Sequence, residues 1–293
     1  MGFQNNVLLK NHTTFRIGGK TRYFFIAKNK NGLISAVKMA KKNKLPFFVL
    51  GGGSNLLVSD KGYKGLVVKI QMTKSKCQMS SKNQYYEIFS EAGVSLNQLV
   101  NTALKNNLTG IEWAVGIPGT VGGAVYGNAG AFGKSMKNII KEVETLDFKT
   151  LRIKKFKNKD CKFSYRDSIF KKNKNLIILS IEIQLKISNK KEIQKRIKKY
   201  FDYKKTNQPL NFYSAGSVFL NSKNFTAGEL IEKCGLKGKK IGNIKISEKH
   251  ANFIVNLGDG KAKDIKKLIN LIKKEVKNKF NLRLEEEIQY IGF

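Results

Sequence analysis

The stretch PFFVLGGGSNLLVSD, Pro46 to Asp60, runs four apolar residues into three glycines and leaves through a second apolar run. Spacing excludes two familiar phosphate loops. A P-loop needs Lys and then Ser or Thr after its last glycine, so that the ammonium meets a phosphate and the hydroxyl meets magnesium; here Ser54, Asn55 and Leu56 come after Gly53. The dinucleotide fingerprint G-x-G-x-x-G opens a helix, and Leu56 stands where its third glycine would be. The continuation of the chain, LLVSDKGYKGLVVKI (56–70), is rich in Val, Leu and Ile around glycine turns and reads as short strands. The loop therefore joins strand to strand. Two readings stay open: a tight turn that uses glycine for positive φ, or a nest of successive N–H groups that holds an anion without a helix.

Composition narrows the partners. The chain has 293 residues, 41% hydrophobic and 10% aromatic, enough for two domains with sizeable cores. The formal charge of +35 would ordinarily point to nucleic acid or an anionic membrane. Only six of its 56 basic residues are arginines (16, 22, 152, 166, 196 and 283), and the lysines spread over nearly every polar stretch. That distribution describes solvated faces. No RNP, zinc-finger or basic-zipper pattern accompanies the charge, so no specific nucleic-acid partner is expected. The N-terminus MGFQNNVLLK lacks a signal-peptide core and no run of eighteen apolar residues exists. A soluble, cytoplasmic protein with no membrane partner is expected. Cys77, Cys161 and Cys234 are isolated and odd in number, and His12 and His250 are far apart, so neither a disulfide framework nor a metal is expected.

Along the chain, RYFFIA (22–27) alternates like a strand, NGLISAVKMAKKN places Leu33, Ile34, Val37 and Ala40 on one helical stripe, and Pro46 to Leu50 is a strand again. After strands at 65–70 and 85–93, Ser95 caps a predicted helix with Leu96, Leu99, Val100 and Leu104 on its apolar side. Next comes GIEWAVGIPGTVGGAVYGNAGAFG (110–133), with eight glycines, which excludes a regular helix or a long strand. Two glycine-rich surfaces whose one charged side chain is Glu112 suit a long ligand held by backbone N–H groups, such as a dinucleotide. Strands are expected between 138 and 187, with FSYRDSIFK among them. The lysine-rich segment 190–209 marks a change of composition. The remainder alternates: strand SVFLN, helix AGELIEKCG, strand ANFIVNL, a helix from Lys261 to Phe280, and EEEIQYIGF as a closing strand. This is an α+β pattern.

Seven fragments occur in order: KNHTTFRIGG, VLGGGSNLLVSD, GIPGTVGGAVYGNAGAFG, FSYRDSIFK, SAGSVFLN, GLKGKKIGNIKISEKHANFIVN and LEEEIQYIGF. Together they resemble the blocks of the UDP-N-acetylenolpyruvoylglucosamine reductase family, from about residue 8 to the end. The resemblance implies a two-subdomain FAD-binding module of vanillyl-alcohol-oxidase type over residues 1–188, completed by a C-terminal strand at 285–293. A smaller α+β substrate-binding domain is implied over 189–284. It also implies FAD as cofactor and NADPH as co-substrate. The reaction would be reduction of UDP-N-acetylglucosamine enolpyruvate to UDP-N-acetylmuramate for peptidoglycan precursor synthesis, with NADPH binding in the space that the sugar nucleotide later occupies.

Residue by residue, Gly51, Gly52, Gly53, Ser54, Asn55 and Leu56 match the pyrophosphate loop. Gly116, Ile117, Pro118, Gly119, Thr120, Gly122, Gly123 and Ala124 match the second cofactor segment. Arg166 matches the arginine that stabilises the enolate, where a planar fork suits a carboxylate better than lysine; on the residues alone, a structural ion pair with Asp167 or another acid is the other reading. Ser217 matches the proton donor, though SAGS by itself reads as a turn into a strand. Glu287 matches the residue that helps hold the enol, and Tyr165 and Asn221 match substrate contacts. Three departures stand out. Arg166 and Ser217 are too close in sequence for the tyrosine-bearing lid loop of longer members, Phe132 replaces the tyrosine ending the NAGAYG block, and Leu220 stands where many members carry lysine. A hydroxy-acid or alcohol oxidoreductase sharing the flavin module is the alternative enzyme, and a basic nucleic-acid-binding protein the alternative of another class. A monomer is expected.

Overall fold

The computed structural model describes residues 2–79 and 85–293. The chain enters on β1 (Gln4–Leu8), antiparallel to β2 (Lys20–Ala27). α1 (Lys30–Lys42) starts where the Asn29 side chain accepts the Gly32 N–H at 2.8 Å, a cap that satisfies one orphan donor of the first turn. It buries Leu33, Ala36, Val37 and Ala40, while Ile34 lies half-buried at the edge of the stripe. β3 (Phe47–Leu50), the glycine loop, β4 (Leu56–Val58) and β5 (Tyr63–Ile70) come next. The loop does join strand to strand. A four-stranded sheet has the order β1-β2-β5-β3.

Beyond it lie β6 (Ser75–Met79), β7 (Tyr85–Glu91) and α2 (Leu96–Lys105). Ser95 caps α2 as expected, its hydroxyl accepting the Gln98 N–H at 3.1 Å; Ala103, and not Leu104, completes the buried face with Leu96, Leu99 and Val100. β8 (Leu108–Thr109) leads into the second glycine-rich region. That region departs from expectation, because residues Val121–Tyr126 form a short helix, α3. Its glycines cost helix stability, but tertiary bonds offset the loss: the Val121 N–H donates to Val94 O at 2.8 Å and the Gly122 N–H to Ala92 O at 2.9 Å. A hairpin, β9 (Gly130–Ala131) and β10 (Lys134–Ser135), precedes β11 (Ile140–Asp147), β12 (Ile153–Lys157), α4 (Ile169–Lys172) and β13 (Leu176–Ile187). These build an antiparallel sheet of order β12-β11-β13-β7-β6, with β8 on the end of β13.

The last third holds α5 (Lys190–Asn207), α6 (Ala227–Lys233), β14 (Lys240–Ile241), β15 (Ile244–Ile246), β16 (Ile254–Asn256), α7 (Ala262–Phe280) and β17 (Gln289–Ile291). Two expected strands change. SVFLN makes only single bridges, Ser217 with Phe253 and Phe219 with Glu286. The closing strand is confined to 289–291 and pairs in parallel with β4, because 284–288 is engaged by backbone bonds to 218–220 instead.

By contacts the chain forms two compact units. The first comprises Met1–Phe3, Phe25–Gly52 and Val67–Tyr203; the second comprises Gln4–Phe24, Gly53–Leu66 and Lys204–Phe293. The sequence reading joins 1–188 with 285–293 and sets 189–284 apart; by contacts, the segments Gln4–Phe24 and Gly53–Leu66 group with Lys204–Phe293. The first unit buries Trp113, Phe170, Val121, Val143 and Ile181. In the second, α7 turns Ile265, Leu268, Ile269, Ile272 and Val276 into a core shared with Phe15, Ile17, Leu57, Phe219 and Ile254. Burying each such side chain stabilises by about 1.5–3 kcal/mol.

Candidate active site

In the first unit the two glycine-rich segments touch. A Cβ at Gly51 would lie 2.6 Å from Thr120 Oγ1, and one at Gly52 would lie 2.7 Å from Gly119 Cα, so no side chain fits between the backbones. Gly119 O in turn accepts the Leu96 N–H at 3.1 Å, Gly116 N donates to Asn97 Oδ1 at 3.1 Å, and the Thr120 hydroxyl caps α3. Gly116, Ile117, Thr120 and Gly119 are half-buried, Pro118 and Gly123 are exposed, and Gly122 and Ala124 are buried.

Along the loop itself, Gly53 has φ +65, and a Cβ there would meet His12 O at 2.1 Å. Only glycine fits. Among the described residues, no protein acceptor takes the N–H of Gly52, Gly53, Ser54 or Asn55. Consecutive unbonded N–H groups with a left-handed glycine in their midst have the chemistry of an anion nest. The loop is a tight turn, and its unbonded donors have the chemistry that a pyrophosphate needs. The residues fit FAD.

Arg166 sits on a loop fastened to the second glycine-rich segment. Its Nη1 donates to Gly130 O at 3.1 Å, the Ser168 hydroxyl donates to Tyr126 O at 2.7 Å, and Asn128 Nδ2 donates to Ser164 O at 2.7 Å. The backbone at Arg166 is left-handed, φ +52, a conformation uncommon for a residue with a Cβ and one that functional sites often hold. Asp167 is paired with Lys172 at 2.9 Å. Burial would raise the Asp167 carboxyl, but the Lys172 ammonium and the Ser168 N–H bring it below its ordinary value. Tyr165 is 55% exposed, with the Arg166 guanidinium 5.5 Å from its ring centroid. Phe132 stacks on Tyr200 at 4.2 Å and meets Tyr203 edge-on at 5.4 Å.

The second unit brings Ser217 and Glu287 onto adjoining backbone. The Glu287 N–H donates to Val218 O at 2.8 Å, and Asn55 Nδ2 donates to Glu287 O at 3.0 Å. Of the acidic triplet, Glu286 is engaged by Lys273 and by the Tyr290 hydroxyl, whereas Glu285 is exposed. Burial and the Glu286 carboxylate push the Tyr290 hydroxyl well above its ordinary value. Asn221 has a structural duty: its Oδ1 accepts the Ala227 N–H at 3.0 Å, at the start of α6.

Three residues that hold this part of the site escaped the sequence reading. Asn252 is buried and bonds Phe219 on both sides, N–H to Oδ1 at 2.9 Å and Nδ2 to O at 2.8 Å, while its own carbonyl takes the Val218 N–H. Asn256, also buried, donates to Phe15 O at 2.9 Å and accepts from Gly258 and Gly260. Asp60 caps α7 from far away in sequence, its carboxylate accepting the N–H groups of Ala262 and Lys263 at 2.9 and 3.1 Å. The asparagines left a trace, since Asn252 and Asn256 bracket the wholly apolar triplet Phe253–Val255.

Comparison with known proteins agrees with this geometry. A profile described as FAD binding domain matches residues 21–151, and one described as UDP-N-acetylenolpyruvoylglucosamine reductase, C-terminal domain, matches 208–291. The chain is 42% identical to the UDP-N-acetylenolpyruvoylglucosamine reductase of Caldanaerobacter subterraneus subsp. tengcongensis, covering 98% of this chain and 93% of that one. It is 43% identical to that of Caldicellulosiruptor bescii, covering 97% and 89%. The crystal structure of the reductase from Thermus caldophilus superposes with a TM-score of 0.81 at 33% identity, covering 97% of both chains. On matched domains, identity across nearly the whole length and shared fold, the chain belongs to the UDP-N-acetylenolpyruvoylglucosamine reductase family.

Proposed function

We propose that the protein reduces UDP-N-acetylglucosamine enolpyruvate to UDP-N-acetylmuramate at the expense of NADPH, as an FAD-containing oxidoreductase of cytoplasmic peptidoglycan precursor synthesis. The observation that carries the reading is the Gly52–Asn55 nest, with the loop at Gly51 and Gly52 packed against Gly119–Thr120 too closely for any side chain. Residues 51–56 and 116–124 hold the cofactor. Bound FAD supplies hydride transfer between NADPH and the enolpyruvyl double bond.

The overall change adds a hydride to the terminal carbon and a proton to the carbon bearing the ether oxygen, so two electrons leave NADPH. Charge builds on the substrate carboxylate before the proton arrives, and a donor already aimed there lowers the barrier most. Arg166 supplies it, its guanidinium orientation set by the bond to Gly130 O. Ser217 delivers the proton, and Glu287 holds the enol form. Tyr165 and Asn221 contact the sugar nucleotide. NADPH and the sugar nucleotide use the same space in turn, giving ping-pong kinetics. The protein works as a monomer, without a specific nucleic-acid or membrane partner; among the described residues no helix is long and apolar enough to cross a membrane.

An anaerobic absorbance titration tests this. The yellow protein is expected to bleach with NADPH and to regain colour only when UDP-N-acetylglucosamine enolpyruvate is added. Colour restored instead by a 2-keto acid or an aldehyde would favour the hydroxy-acid or alcohol oxidoreductase, and a colourless protein unable to take up FAD would overturn both.

A further inference from the structure

Residues 284–288 belong to no regular ladder, yet they carry Glu287. What shapes them is a short set of backbone bonds: Leu220 N–H to Glu285 O at 2.8 Å, Glu287 N–H to Val218 O at 2.8 Å, and the single bridge of Phe219 with Glu286. Asn55 adds bonds on both sides of residue 288. Its Nδ2 donates to Glu287 O at 3.0 Å, and its own carbonyl accepts the Gln289 N–H at 2.9 Å. The Glu287 residue is thus held at its N–H by the neighbour of Ser217 and at its carbonyl by the last residue of the glycine nest.

We propose that Asn55 is a positioning residue for Glu287, its side-chain amide setting the direction of the acid by holding the adjoining carbonyl. The proposal rests on the reading of Glu287 given above. The side-chain chemistry is specific. Aspartate has the same shape but would turn a lone pair toward the carbonyl, and alanine would leave the carbonyl without this donor. One neutral hydrogen bond contributes modestly to stability, so the fold should survive its loss. A displacement near 1 Å at a reacting group, by contrast, slows chemistry by about a hundredfold. A large kinetic effect beside a small stability effect is therefore the signature.

The test uses full-length holoenzyme and separates the half-reactions by stopped flow. Asn55→Ala is expected to slow the return of colour with the enolpyruvyl substrate by roughly ten- to hundredfold. In a Glu287→Gln background the same substitution should add nothing further. In flavin-free protein, hydrogen exchange over residues 285–291 should rise in Asn55→Ala, a readout independent of turnover. Equal losses in both backgrounds, or unchanged exchange, would overturn the proposal while leaving the role of Glu287 intact. If Glu287→Gln itself leaves the return of colour unaltered, the assignment of the acid fails and the proposal with it. Should Asn55→Ala not fold or not retain flavin, Asn55→Ser enters the same cycle, and failure of both means that Asn55 holds the fold or the cofactor, which also overturns it.

Discussion

Lys204 is only 3% exposed, and burial brings its ammonium down to about 8. An unfolded lysine titrates near 10.4, so between pH 8 and 10.4 the unfolded chain binds more protons at this position than the folded one. Stability from this group therefore rises with pH across that window and is flat below it. Denaturation of the parent and of Lys204→Met at pH 7.5 and pH 10 should show the parent gaining on the variant by an amount on the order of one to a few kcal/mol. Equal differences at the two pH values would refute the burial account. At this scale the sequence was informative about chemistry and silent about surroundings. Arg166, Ser217 and Glu287 are proposed from their motifs, but the bond from Arg166 to Gly130 O spans 36 residues, and motif spacing carries no such information.

Elements were mostly legible where one face repeats. α1, α2 and α7 appear close to their expected bounds because apolar periodicity and caps act locally. α3 was missed because its helix depends on bonds to Ala92 and Val94 that outweigh the glycine penalty. SVFLN was misread for the opposite reason: its composition suits a strand, but the buried Asn252 side chain takes both bonding groups of Phe219. The start of α7 shows the same dependence on distant residues. Its N-cap, Lys261, provides no side-chain cap, and Asp60 supplies two acceptors and a favourable charge for the helix dipole. Asp60→Ala should destabilise the protein by about 1–2 kcal/mol in urea denaturation, with Asp60→Asn recovering part of that because one acceptor remains. Two variants as stable as the parent would show the cap to be dispensable.

For the molecule as a whole, +35 on 293 residues creates a field that attracts anionic nucleotides. Raising ionic strength from about 0.01 to 0.15 M shortens the screening length from roughly 30 to 8 Å. kcat/KM for NADPH and for the sugar nucleotide should then fall several-fold while kcat holds steady. An unchanged kcat/KM would mean that the lysines do not steer substrate. The compact units add a lesson about organisation. Chain segments 4–24 and 53–66 group with 204–293, an arrangement that no shift of composition announces. The sequence by itself determined the family, the strand-to-strand glycine loop and the main amphipathic helices, because motif identity, backbone steric demand and periodicity are local properties. Only the tertiary structure decided how Asn55 reaches Glu287, how Asp60 reaches α7 and how Asn252 shapes the segment after Ser217. Those bonds join residues 33 to 232 positions apart, and which donor meets which acceptor at such separations is settled by packing.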